Sequence, residues 1–497
     1  MGIKRYYATK DNTITNAYKS NLQTRGVSGN MGRSDILEVF HIYGQAASAS
    51  LENSRILIQF DTAQISTDRT AGTIPASGSV NFFLRLYDAE HSQTTPKDFT
   101  LVVSAVSQSW DEGLGLDMEN YSDLDESNWI SASANTAWVD YAGTELTGGS
   151  YITGSDAIPL EYTFTQAFDT GFENLEIDVS HLVEDWISET VPVENNYGFG
   201  IQLTSTLESA TDSYYTKMFF ARGSQFFHKR PVLEARFDQS KKDNRGNFYL
   251  SSSLVPASDN LMKLYLYNVV KGNLTDIPVV GTDPLHVSIY SGTLTNAAPT
   301  GSKIGFSLGG GTVTAGDLNT TASHVETGIY SCSFAYTSSA ITTIFDVWHS
   351  GSVEYHTGSA ISPTTFDSSN YNFDQKYVSN LTNLRPTYST SENVRFRLYV
   401  RQKDWSPTIY SVATTAIPTS VIEDAYYQVV RVTDNLKVIA FGTGSLNHTR
   451  MSYDASGSYF DLKMDLFDTD TVYEMSFAYV INGSYVEQPE KFRFRVE

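Results

Sequence analysis

The chain has 497 residues, with 34 Lys and Arg against 56 Asp and Glu, a net charge of −22. That acidity argues against nucleic acid as the main partner, because phosphates call for a basic surface. No run of ~20 apolar residues exists to span a membrane as a helix, and a single cysteine, Cys332, excludes an internal disulfide framework. Charged residues are only 18%, below the ~25% usual in soluble globular chains, while aromatics reach 13% with 31 Tyr. That is the mix of an all-β protein with Tyr-bearing strands and polar turns. At ~150 residues per domain the length allows about three domains.

Strand signals recur from the N-terminus. Arg55-Ile-Leu-Ile-Gln-Phe60 alternates apolar and polar, and Val80 to Tyr87 and Phe99 to Val106 follow with looser periods. Turn residues between Gly72 and Gly78 separate them, which reads as a β-sandwich. One segment breaks the pattern. Leu182, Val183, Trp186 and Ile187 fall on one helical face, with Ser180 as the expected N-cap. A single short helix, with Trp186 structural, is expected to close the end of the sandwich. Residues 238–247 are polar and turn-rich with no apolar period, so 238–260 is expected to be a linker between a first domain at 1–237 and a second at 261–385. A third is expected at 386–497, with a strand near Val394-Arg-Phe-Arg-Leu-Tyr-Val400.

The second and third units read as a divergent repeat. Glu326-Thr-Gly-Ile-Tyr330 and Asp454-Ala-Ser-Gly-Ser-Tyr459 each place an acid and a turn Gly before a Tyr that opens a strand. Both tyrosines are expected to act as tyrosine corners, the hydroxyl bonding back to upstream backbone. These units resemble Ig-like modules of bacterial surface and phage structural proteins.

The first unit carries a longer set of short matches: Asp11-Asn-Thr-Ile14, Gly29-Asn-Met-Gly32 with Ile36 to Val39, Ser54 to Asp61, Phe83 to Tyr87, Ser109-Trp-Asp-Glu-Gly113, Asp178 to Trp186, Asn196 to Gly200, and Phe219 to Glu234. In this order they resemble the DNRLRE family, a β-sandwich module of secreted and surface proteins. The likeness runs from about residue 10 to residue 237, with an insertion from roughly Leu114 to Glu161. It implies binding, scaffolding or cross-linking rather than catalysis. Trp110 would pack and Glu112 would bond local backbone. The N-terminal residues MGIKRYYATKDNT have no apolar h-region, so no conventional secretory signal is expected. An extracellular type of module without such a signal suits a virion component, assembled in a host cytoplasm and released by lysis. The chain as a whole is similar in texture to virion proteins of tailed phages.

Little in the sequence carries catalytic chemistry. The nine histidines show neither HExxH nor an i, i+4 pair. The nearest two, His349 and His356, flank a Ser-Gly-Ser turn that strand pairing could close. Cys332 lies in an alternating strand and reads as a packed small residue. Gly309-Gly-Gly311 has no helix after it and reads as a hairpin tip. No G-x-S-x-G elbow or P-loop is present.

Asp111, Glu112, Asp117, Glu119, Asp123, Asp125 and Glu126 cluster in the insertion. Oxygen ligands at two-residue steps suit Ca²⁺, with Asp117, Glu119, Asp123 and Asp125 as the candidates; a solvated acidic loop is the other reading. Glycosidase chemistry needs two acids ~5–10 Å apart, and nothing here identifies nucleophile, base and orienting group together. Trp129, Trp138, Tyr141 and Tyr151 sit in the polar insertion where no core period is visible. They are candidates for a protein interface or for stacking on a glycan.

The expectation is therefore an all-β, non-enzymatic structural protein of a tailed-phage virion, in tail, neck, baseplate or fibre attachment. Its partners would be other virion proteins and further copies of itself in a symmetric assembly. A carbohydrate-binding cell-surface or host-adhesion protein is the alternative, which would add a host-surface glycan as partner.

Overall fold

The alternating segments condense into antiparallel sheets in the computed structural model, which describes residues 2–120, 125–140, 143–152, 162–190, 195–294, 299–309, 318–365, 376–403 and 419–497. The chain is almost entirely strands and turns, and its contacts divide it into two units. One comprises residues 2–238 with 443–448, the other 239–442 with 449–497. Among the described residues no helix is long and apolar enough to cross a membrane.

The first unit runs β1 (Ile3–Tyr7), β2 (Lys10–Thr15), β3 (Ile36–Tyr43), β4 (Leu51–Gln59), α1 (Thr62–Thr70), β5 (Val80–Leu86), β6 (Phe99–Ala105), β7 (Ser131–Ser133), β8 (Thr136–Val139), β9 (Glu145–Leu146), β10 (Thr163–Phe168), β11 (Leu175–Asp178), α2 (Ser180–Ser188), β12 (Phe199–Leu203), α3 (Ser205–Glu208), β13 (Tyr214–Phe220) and β14 (Val232–Phe237). One sheet has the order β1-β14-β5-β11. The larger has β10-β6-β12-β4-β3-β13, with β2 paired to β4. Their facing sides bury one core, in which Ile56, Ile58, Phe82, Leu84, Val103 and Ile201 are at its centre.

Successive strand side chains point to opposite faces. Ile56 and Ile58 of β4 therefore enter that core, while Leu57 between them points to the other face of the sheet. There it meets a second core of Ile14, Val106, Trp110, Trp129, Ala132 and Trp138. The insertion, with its small sheet β7-β8-β9, covers that face. The strand β4 is thus buried on both sides.

Three helices, not one, lie at the margin of the main core, the short α3 contributing Leu207. Leu182, Val183 and Trp186 of α2 are buried as their spacing predicts, and Trp186 meets the edge of Phe199 at 4.9 Å. Ser180 is the first helical residue rather than the cap, and its hydroxyl accepts the Phe82 N–H. The unexpected α1 buries only Ile65 and Asp68, so it has no apolar stripe to read. Asp61 caps it, and Arg69 joins it to α2 through a bidentate pair with Glu184 at 2.9 and 2.6 Å.

The second unit contains two tandem Ig-like sandwiches. In one, Thr320–Glu326 pairs with Leu285–Ser291 through its first residues and with Ile329–Phe334 through its last, so a single strand changes partners along its length. The other closes on aromatics, with Phe460 stacked between Tyr427 at 4.3 Å and Phe396 at 5.3 Å. Its strand Tyr377–Leu381 pairs with Asn393–Gln402, so this sandwich begins before residue 386.

The segment expected to be a linker is instead bound structure. Phe248 and Leu250 enter the first of these cores. Arg245 makes a bidentate pair with Asp346 at 2.5 and 2.7 Å, and Trp348 donates its indole N–H to the same carboxylate at 2.6 Å. Asn244 donates to the Tyr453 hydroxyl at 3.0 Å. The polar residues carry no apolar period because they serve as buried hydrogen-bonding groups. The Arg245 guanidinium holds the fully buried Asp346 carboxyl below its usual range against the cost of burial. Replacing Asp346 by Asn should leave Arg245 without its counter-charge and cost ~3–5 kcal/mol in urea unfolding. A loss below about 1 kcal/mol, typical of an exposed pair, would contradict this assignment.

Candidate interaction surface

The first sandwich gathers four loops around Asp11, which lies at the start of β2 and is buried. The turn from β1 contributes Ala8, whose N–H bonds Pro231 O at 3.1 Å. The loop after β6 contributes Glu112, whose carboxylate accepts the Asp11 N–H at 2.9 Å. The loop after β13 contributes Arg222, which grips Glu112 through Nε at 3.1 Å and Nη2 at 2.6 Å while its own N–H donates to Asp11 at 2.5 Å. The segment before β3 joins through Arg33 N–H to Gly115 O at 2.9 Å. These backbones lie too close for side chains between them. A Cβ on Gly32 would stand 2.1 Å from Gly113 O, and one on Gly113 would stand 2.0 Å from the Asn30 side chain.

Packing the glycines inward turns their neighbours outward. Leu114 and Leu116 are 54% and 53% exposed, and Phe226 and Phe227 in the adjoining loop are 51% and 46% exposed. Cations border these rings. Lys229 Nζ lies 6.0 Å from the Phe226 centroid, and Arg230 Cζ lies 5.3 Å from that of Phe227. Arg230 also donates to Ser224 O at 2.8 Å, and Tyr7 packs on Phe227 at 4.4 Å. Arg33, whose N–H bonds Gly115 O, is exposed, as are Asp35 and Asp111 on the same loops. Apolar anchors with bordering Arg and Lys have the composition of a protein contact surface.

The sequence-predicted residues fall elsewhere. Trp129 and Trp138 are buried, and Trp138 donates its indole N–H to Asn128 O at 2.8 Å. Tyr151 packs against the same small core and donates to Gly148 O. Arg55 lies over both Trp129 and Tyr151 and is paired with Glu208. These aromatics are therefore not an exposed platform for a glycan or partner, because the outer face of β4 gives them a core to fill. Tyr141 lies outside the described residues. Trp110 packs as expected and donates to Tyr197 O at 2.8 Å. Glu112 bonds backbone as expected, but backbone 101 residues away rather than local. Its two oxygens accept three hydrogen bonds in this clamp.

The calcium candidates are not brought together. Asp117 accepts the N–H groups of Glu119 and Asn120, while Glu119 accepts from Ser20 N–H and Oγ. Those bonds lower both carboxyls from their ordinary range. Asp125 is exposed, Asp123 lies outside the described residues, and no group of three ligands is assembled among the described residues.

Tyr330 donates to Gly281 O at 2.6 Å and accepts the Ile277 N–H at 3.2 Å. This is the geometry of a tyrosine corner. Gly328, at φ +73°, makes the turn before it. Tyr459 departs from the expected pairing. Its hydroxyl meets that of Tyr267 at 3.3 Å and its ring lies under Arg395. In that sandwich Tyr473 takes the corner bond instead, accepting the Asp468 N–H at 2.8 Å. Cys332 is buried and its thiol is pushed up by burial, out of nucleophile range. His349 meets His286 across paired strands at 5.9 Å and bonds Ser288 at 2.8 Å.

No protein-family profile matches the chain, and no curated protein matches it. Among solved structures it is similar to the two-domain Ig1-2 module of the Drosophila receptor protein tyrosine phosphatase DLAR, at 8% identity over 48% of this chain and 90% of that one, with a TM-score of 0.15. It is similar to trypsin-activated alpha-2-macroglobulin from Escherichia coli at 9% identity, over 84% of this chain and 22% of that one, with a TM-score of 0.16. Likenesses at these scores carry no argument beyond the sheets already described.

Sequence reasoning missed Asp11, Arg222, Leu114, Leu116, Phe226 and Phe227 as one site. The signal within reach was Phe226-Phe227 followed by Lys229-Arg230 and Pro231. Two adjacent rings with no alternation, between a turn and a proline, belong to a loop rather than a strand.

The base of the surface is sensitive to pH. Burial pushes the Asp11 carboxyl up to about 7, opposed by the Arg222 N–H and guanidinium and reinforced by Glu112. The unfolded chain ionises this group near ~4. Between ~4 and ~7 the folded chain holds a proton that the unfolded chain has lost, so stability falls as pH rises through that window and levels above it. Asp11→Asn keeps an acceptor for the Arg222 N–H and removes the charge. The melting temperature of the variant relative to wild type should therefore rise by several degrees from pH 5 to pH 8. An unchanged difference across that range would contradict the assignment.

Proposed function

We propose that this chain is a structural protein that works by protein–protein assembly, as a component of a tailed-phage virion in the tail, neck, baseplate or fibre attachment. The observation that carries the assembly part is the exposure of Leu114, Leu116, Phe226 and Phe227 on loops clamped together by Asp11, Glu112 and Arg222. The virion part is supported by the resemblance of the first unit to a scaffolding module and by the texture of the whole chain. Non-enzymatic action is supported by the Glu112 carboxylate, held by three donors in a clamp. The glycan reading loses three of its four candidate residues, because Trp129, Trp138 and Tyr151 are packed inward.

In this reading the clamp holds the anchors in place before contact, so little ordering cost is left for binding. Many copies in a symmetric particle turn weak contacts into avidity. The acidic surface outside the face keeps the chain soluble and repels DNA.

Immunogold electron microscopy with antibody to the recombinant chain tests this on tailed-phage particles from the source culture. Gold should fall at one fixed place on the particle. Clean particles with gold only on cells would overturn the virion reading.

A further inference from the structure

The edge strand β13 of the larger sheet carries a lysine into the main core. Phe219 of that strand points inward, and Lys217 shares its parity. Among the described residues Lys217 is the single buried lysine. Its Nζ lies 4.9 Å from the Phe219 centroid and 5.5 Å from that of Phe168. It donates to Gly171 O at 2.8 Å and to Asp88 Oδ1. Asp88 follows β5 of the smaller sheet. Backbone pairing delivers it, with Ala89 N–H on Met218 O and Phe220 N–H on Tyr87 O, both at 3.1 Å. Amine and carboxyl thus meet from different sheets, 129 residues apart in sequence.

An ion pair is costly against two phenylalanine rings, because both charges lose their water. Burial moves Lys217 below the ordinary lysine range and Asp88 above the ordinary carboxylate range, each opposed by its bond to the other. Both directions favour the neutral pair, reached by passing one proton from Nζ to the carboxylate. A neutral amine beside an uncharged carboxyl is a nucleophile beside an electrophile. Glu173, in the turn that carries Gly171, acts on the Lys217 amine through its charge. Its Oε1 accepts the Thr170 N–H and hydroxyl, while its Oε2 is buried with no hydrogen-bond partner among the described residues. Burial opposes ionisation of Glu173, but the Thr170 donors hold its carboxyl below the ordinary range, ready to accept a proton.

We propose that Lys217 and Asp88 join in an intramolecular amide, a covalent tie between the two sheets of the first sandwich. Nζ attacks Asp88 Cγ, the C–N bond forms, and the bond from Cγ to the carboxyl hydroxyl breaks. Glu173 takes the nitrogen proton and passes it to the departing hydroxyl, which leaves as one water. Glu173 ends as it began, and no oxidant or further reactant is consumed. The Asp88 side chain is 14% exposed, which gives the water a way out. The product places a neutral amide where two charges stood. With one cysteine the chain cannot form an internal disulfide. The amide would restrict the unfolded chain in the same manner, by closing a long loop. The inference is independent of the assembly reading and stands or falls apart from it.

Intact-mass spectrometry of the denatured full chain tests the proposal. Wild type should weigh one water less than its sequence, and a protease digest should contain a branched peptide joining Asp88 to Lys217. Asp88→Asn should lose one ammonia instead, since the same carbon then carries a different leaving group. Lys217→Arg should keep its full mass. Glu173→Gln should form the bond at least tenfold more slowly. A folded wild type that keeps its full sequence mass would overturn the proposal without recourse to any variant. Loss of the same water from Lys217→Arg would also overturn it, and bond formation at the wild-type rate in Glu173→Gln would overturn the role given to Glu173.

Discussion

One arginine bonded to two carboxylates organises one end of the first sandwich. Arg222 holds Glu112 with its side chain and Asp11 with its backbone N–H, and Glu112 returns to the Asp11 backbone. Removing any one member would leave a charge or an N–H in a poorly solvated place, which costs more than the bond itself contributes. The glycines at 32, 113 and 115 let the loops close around this knot. With backbone and small residues filling the inside, Leu114, Leu116, Phe226 and Phe227 have nowhere to go but outward. Exposure of the apolar face thus follows from the way its base is packed.

The sheets were legible because alternation has only one period to find. Arg55 to Gln59 declares a strand in a short stretch, and its partner strands do the same. What alternation cannot report is that both faces of β4 are covered. Leu57 looks like the polar-side member of the pattern, yet it is buried under Trp110 and Trp138. The aromatics of the insertion lack a period because they converge from several short segments. They read as exposed for that reason, and the structure places them in a core. The helix α1 escaped notice for a related cause, since it buries one apolar residue and presents no stripe.

The same limit applies to polar residues. Residues 241–247 look like a solvated linker, but Asp243, Asn244 and Arg245 spend their polar groups on buried partners. The clamp lay further from reach. Asp11, Glu112 and Arg222 are separated by 101 and 110 residues along the chain and meet only because the sheet order brings their loops to one end. Composition did carry one part of the account. A chain with 56 acids against 34 bases is a poor match for nucleic acid.

Exposed apolar residues also occur at a tip of the second unit, at Val269, Val270, Leu274 and Val279, so the location of contact distinguishes the account from its nearest rival. Hydrogen–deuterium exchange of the chain, free and in its assembled state, locates it directly. Slowed exchange at 113–116 and 223–230 on assembly, with 269–279 unchanged, is the predicted result. Protection confined to 269–279, with the clamped loops exchanging as in the free chain, would contradict it.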